Sequence, residues 1–188
     1  MDMPIQNLLY AVPACGALAL LYAAFTTAWI SRQDAGNDRM KGIAEQIFRG
    51  AMAFLAAEYK ILALFVVVIA GLLILTADPA TSSPMIGLSF VSGALCSALA
   101  GFFGMRVATR ANVRTAAAAR TGLSPALSVA FRGGAVMGMC VVGLGLGGFG
   151  ALFLFYLGHF DALADVDGKA VEFNRVVNMM AGFSMGAS

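Results

Sequence analysis

The chain has 188 residues, 60% of them hydrophobic and only 12% charged, with a mean hydropathy of +0.85. Globular domains carry about 25% charged residues, so this composition excludes a soluble fold of ordinary surface and points to a membrane class. The formal net charge of +2 is too small to support a nucleic-acid partner.

Spanning a hydrocarbon core of about 30 Å takes about 20 apolar residues. Runs 3–30, 61–77, 79–105 and 133–158 contain no Asp, Glu, Lys or Arg. The first is preceded by Asp2 rather than by a basic segment, and it is longer than a signal-peptide core. It is therefore predicted to be a spanning helix. Residues 31–40 read as a polar loop. From Asn37 the pattern turns helical, with Ile43, Ile47, Ala51, Phe54 and Leu55 on one face, and it runs on into the second span. Tyr59 and the stem of Lys60 extend that span by snorkelling. Residues 77–85 form a short turn with two prolines, Pro79 and Pro84.

The third helix overshoots the bilayer. From Pro84 to Ala119 it would measure about 54 Å at 1.5 Å per residue. Thr121, Gly122, Leu123, Ser124 and Pro125 then predict a stop and a restart, with Gly122 closing one helix and Ser124 capping the next. The fourth helix carries Arg132 near the membrane boundary, where an acid or a carbonyl is its expected partner. Residues 159–172 form a mostly acidic loop. A fifth uncharged run, 176–188, reads as a spanning helix interrupted midway. The fold class is thus all-α, a polytopic transmembrane helix bundle. It has four full spans (about 3–30, 59–77, 84–108 and 130–157) plus the start of a fifth, at 173–188.

Basic residues set the orientation. Arg32, Arg39, Lys41, Arg49 and Lys60 flank the first loop, and Arg106, Arg110, Arg114, Arg120 and Arg132 flank the third. Only Lys169 and Arg175 lie on the other side. By the positive-inside rule, loops 31–58 and 109–129 are cytoplasmic and the N-terminus is outside. Two long helices then project into the cytoplasm.

Few residues suggest chemistry. Cys15, Cys96 and Cys140 lie in apolar runs without metal-ligand spacing and read as small buried hydrophobes. His159 is the one histidine. Gly145, Gly147 and Gly150 match G-x-G-x-x-G. A dinucleotide site needs a strand before that motif, and here it sits inside a span. Helix packing is the better reading, because small residues let backbones approach closely in lipid. Gly93, Ser97 and Gly101 share that spacing, as do the pairs Gly134/Gly138 and Gly143/Gly147. Arg106, Arg110 and Arg114 recur every four residues. They read as a solvated anchor or as a phosphate-binding stripe, and spacing favours the anchor. Asp161, Asp165 and Asp167 read as a solvated loop or a cation site, the former favoured. The four charge-free runs within these spans carry no Asp, Glu, Lys or Arg, although ion pathways generally use such groups.

Three stretches carry a resemblance: 39–60 (RMKGIAEQIFRGAMAFLAAEYK), 104–120 (GMRVATRANVRTAAAAR) and 126–139 (ALSVAFRGGAVMGM). In order and spacing they resemble the N-terminal part of membrane-bound, ion-translocating pyrophosphatases. Residues 182–188 (GFSMGAS) resemble the start of that family's fifth helix. The chain departs from the family pattern at Arg49, where Glu is usual, and near Ala57, where a basic residue is common. The resemblance implies a homodimeric pump in a bacterial inner membrane. It would hydrolyse pyrophosphate with Mg²⁺ and move H⁺ or Na⁺ out of the cytoplasm. It also implies that the pyrophosphate, Mg²⁺ and gate residues lie after residue 188. No catalytic, cofactor-binding or metal-binding residue is therefore assigned within 1–188, and the chain alone is expected to be inactive. The alternative is a small self-contained membrane scaffold or transporter subunit.

Overall fold

A computed structural model describes residues 5–77, 83–160 and 170–188. It is all helical over these residues: α1 (Ile5–Ser31), α2 (Asp38–Thr76), α3 (Met85–Ala119), α4 (Leu123–His159) and α5 (Ala170–Ala187). By length and composition the first four can cross a membrane. Helices α2, α3 and α4 have 39, 35 and 37 residues. Each is therefore more than about 50 Å long. The two long helices predicted from sequence are joined by a third, because α4 begins well before its charge-free run.

The helix ends follow local chemistry. Asn37 caps α2, its side-chain oxygen accepting the Met40 N–H at 2.9 Å. Before it, Gly36 takes a positive φ of 78° and donates its N–H to Asp34 Oδ1 at 2.9 Å. The restart after α3 differs from the prediction. Gly122, not Ser124, is the N-cap of α4, and Ser124 and Pro125 lie in the first turn. The reason is conformational. At φ 155° Gly122 donates its N–H to Ala118 O, 3.2 Å away, while its own carbonyl accepts Ala126 N–H. One glycine ends α3 and starts α4, which a residue with a Cβ does with strain.

Packing runs α2–α3–α4–α1, with α5 laid against α3 and more lightly against α4. In lipid no hydrophobic drive pulls helices together, so close backbone approach must hold them. The glycines show where this happens. A Cβ on Gly16 of α1 would lie 2.6 Å from Gly147 N and 2.9 Å from Gly143 O of α4. On Gly104 of α3 it would meet Met137 Cγ at 2.7 Å, and on Gly133 of α4 it would meet Ala111 Cβ at 2.8 Å. On Gly93 and Gly186 it would run into the Phe183 and Phe90 carbonyls respectively, so α3 and α5 touch backbone to backbone.

Two hydroxyls fasten the bundle. Buried Tyr156 of α4 donates to Met85 O at 3.1 Å and sits 2.9 Å from Ser89 Oγ. An unbonded buried hydroxyl would cost roughly 1–3 kcal/mol. Tyr59 of α2 donates to Ala98 O of α3, in the space left by Gly101. The apolar face predicted along the start of α2 is mostly uncovered. Leu55 is buried, but Ile43, Ile47 and Phe54 are exposed, since among the described residues α2 packs chiefly along α3.

Candidate functional site

The residue cluster richest in polar chemistry lies where α1 ends against α3 and α4. Helix α1 has no basic residue in its last turn, although its C-terminus carries partial negative charge. Arg114 of α3 supplies the cation. Its Nη2 donates to Ser31 O at 3.2 Å and its Nη1 to Arg110 O at 2.9 Å. Its buried Nε has no hydrogen-bond partner among the described residues. Burial, and secondarily the like charge of Arg110, lowers the Arg114 pKa. The carbonyl contact therefore works against a desolvation cost.

Arg132 of α4 sits with its guanidinium carbon 3.8 Å from the Trp29 ring centroid. This corrects the acid or carbonyl partner expected from sequence. An arginine over an indole face gains about 0.5–2 kcal/mol, more when desolvated. Trp29 packs on the buried cluster of Ile30, Val107 and Val136, so this contact joins α1 to α4. Arg106 and Arg110 are exposed, at 6.0 Å from the Phe102 ring and 5.5 Å from the Phe48 ring. The three arginines singled out by spacing thus divide. Arg114 points to the end of α1, while the other two stay at the surface with no carboxylate partner among the described residues.

The other flagged residues do not converge. Cys15 is exposed, Cys96 half-buried and Cys140 buried, and all three are free thiols. His159 stacks on Phe155 at 5.9 Å and meets Phe160 edge-on at 5.1 Å. Asp161, Asp165 and Asp167 lie outside the described residues. The G-x-G-x-x-G residues lie inside α4. Of the small-residue stripes, Gly93 and Gly143 sit in tight crossings and Gly101 faces Tyr59. A Cβ on Gly134 or Gly138 would meet nothing within 4 Å. Arg49 pairs with Glu45 one turn earlier at 2.8 Å, both side chains exposed. Such a pair contributes only about 0.3–0.5 kcal/mol, so the departure at this position has little local consequence. Sequence reasoning missed Gly16, Tyr156 and the Trp29–Arg132 pair. Trp29, as the only tryptophan, opposite a boundary arginine, was the one visible signal.

Four helices able to cross a bilayer, joined at glycine crossings and fringed by arginine, define a multi-pass α-helical membrane protein. The family described as inorganic H+ pyrophosphatase matches residues 17–188, and the chain belongs to it. It is 42% identical over 152 residues to the K(+)-insensitive pyrophosphate-energized proton pump of Methanosarcina mazei, covering 81% of this chain and 22% of that protein. It is 48% identical over 132 residues to a putative K(+)-stimulated pyrophosphate-energized sodium pump of Clostridium tetani, covering 70% of this chain and 19% of that protein. To the K(+)-stimulated pyrophosphate-energized sodium pump of Thermotoga maritima it is 38% identical over 192 residues, covering 99% and 25%. The chain spans a quarter or less of the length of these relatives.

Proposed function

We propose that the complete protein couples pyrophosphate hydrolysis to outward movement of H⁺ or Na⁺, and that residues 1–188 are scaffold within it. One observation carries this reading: family membership over residues 17–188, with relatives that are pyrophosphate-energized pumps. The relatives include proton and sodium pumps, K(+)-insensitive and K(+)-stimulated, so both ions stand for this protein. The metal we propose is Mg²⁺, which in such chemistry neutralises phosphate charge and activates water. Among the described residues no three His, Cys, Asp or Glu side chains gather to hold a metal. The described residues do not fit such a centre, and no step of hydrolysis is routed through them.

The reading also includes a homodimer in a bacterial inner membrane, spans near the charge-free runs, a cytoplasmic arginine end and an outside N-terminus. Ten basic residues against two support that orientation. Membranes containing the complete protein should hydrolyse pyrophosphate only with Mg²⁺, and inverted vesicles should acidify or take up Na⁺. Loss of both activities would overturn the pump. Topology has its own check. In a protein lacking the native cysteines, Asp165→Cys should react with an impermeant maleimide on intact cells, and Arg120→Cys only after permeabilisation. The reverse pattern would invert the orientation.

A further inference from the structure

We propose that the cleft between α1, α3 and α4 binds one anionic glycerophospholipid, its acyl chain inside and its phosphate on Arg106 and Arg110. The cleft measures about 550 Å³, within the roughly 300–1,000 Å³ of small-molecule sites. Its walls are apolar: Leu20 and Ala24 from α1, Phe103 from α3, Val136 and Cys140 from α4. Arg106 and Arg110 line it as well, one helical turn apart. Neither has a carboxylate partner among the described residues, whereas the exposed Arg49 and Lys41 both do. Of the neighbouring arginines, Arg114 is held on the Ser31 and Arg110 carbonyls and Arg132 lies 3.8 Å from the Trp29 ring, whereas Arg106 and Arg110 stand farther from the Phe102 and Phe48 rings, at 6.0 and 5.5 Å.

Charge and shape together select the occupant. Two arginines at one edge call for an anion, and a basic pocket between membrane helices fits a phospholipid headgroup. Free phosphate would satisfy the arginines but leave the apolar walls unfilled. A lipid without phosphate would fill the walls but leave the arginines without a counter-charge, and a zwitterionic one brings a quaternary ammonium that offsets its own phosphate beside two cations. A phospholipid of net negative charge meets both demands. Binding itself depends on neither the pump reading nor the orientation. The orientation adds only that the lipid comes from the cytoplasmic leaflet.

The test is native mass spectrometry of the complete protein, delipidated in detergent and titrated with phosphatidylglycerol or phosphatidylcholine. Phosphatidylglycerol should be retained preferentially. Arg106→Gln with Arg110→Gln should weaken it about thirtyfold, each arginine contributing about fivefold. Ala24→Phe fills the cleft from an exposed position and should weaken both the lipid's binding and its selectivity, with the arginines intact. Arg120→Gln, exposed and outside the cleft, should change binding less than about twofold, since no contact is lost. Displacement by millimolar inorganic phosphate, with Ala24→Phe silent, would identify a free-phosphate site and overturn the lipid. Unchanged retention in both the arginine and the Ala24 variants would mean that another helix fills the cleft, and would also overturn it.

Discussion

Gly186→Leu is expected to loosen α5 from α3, while Gly138→Leu is expected to do nothing of the kind. Both changes replace a helical glycine with a better helix former, worth about 0.8 kcal/mol in propensity. Propensity alone would therefore make both variants slightly more stable. What differs is space. A Cβ on Gly186 meets the Phe90 carbonyl and lies 3.0 Å from Ala94 N, while a Cβ on Gly138 meets nothing within 4 Å. Backbone does not move aside as a side-chain tip does. Overpacking of this kind costs about 1–3 kcal/mol, which outweighs the propensity gain at Gly186 only.

Cys96 reports the outcome. It packs against the cluster in which α5 supplies Val176, Met179, Met180 and Phe183. In the complete protein in detergent, with Cys15 and Cys140 replaced by alanine, alkylation of Cys96 by N-ethylmaleimide should accelerate about tenfold in Gly186→Leu. The parent rate should persist in Gly138→Leu. Equal rates in all three proteins would show that the α3–α5 crossing is not held by backbone contact.

The sequence made these crossings only partly legible. Charge-free runs of spanning length announce α1 to α4, because hydrocarbon tolerates little else. The Gly143/Gly147 pair announced a close approach, but not its partner. Gly16 carries no local spacing signal, and its meeting with α4 depends on how two helices turn about their axes. Gly134 and Gly138 have the same spacing and face open space. Small residues permit an approach without specifying one.

The arginine cluster divides for a similar reason. Four-residue spacing put Arg106, Arg110 and Arg114 on one stripe, yet Arg114 reaches Ser31 O across 83 positions of sequence. Local pattern carries no such information. Arg132 was expected to find an acid or a carbonyl, and the Trp29 ring serves instead. An aromatic face is as available as an acceptor at a membrane boundary, where Trp is common. The restart at Gly122 shows a backbone winning over a side chain. Ser124 is a better N-cap residue in isolation, but the three-residue link between α3 and α4 needs positive φ at Gly122.

Family membership reached further than the residues. The three stretches quoted above carried the resemblance, and the family match over 17–188 bears it out. Chemistry is a different matter. Among the described residues the cysteines and His159 do not gather, while Arg114 binds carbonyls, Arg132 an indole and, on our proposal, Arg106 and Arg110 a lipid. On the function we propose, residues 1–188 hold helices in place and pyrophosphate is met elsewhere in the complete protein.

The most direct measurement of that claim compares two proteins in the same membranes, the complete protein and residues 1–188 alone. Each is assayed for Mg²⁺-dependent pyrophosphate hydrolysis, after maleimide labelling has shown that both insert with the same topology. Hydrolysis from the complete protein and none above background from residues 1–188 is the result we expect. Hydrolysis by residues 1–188, abolished when Arg106 and Arg110 become glutamine, would contradict it and make the arginine stripe a substrate site.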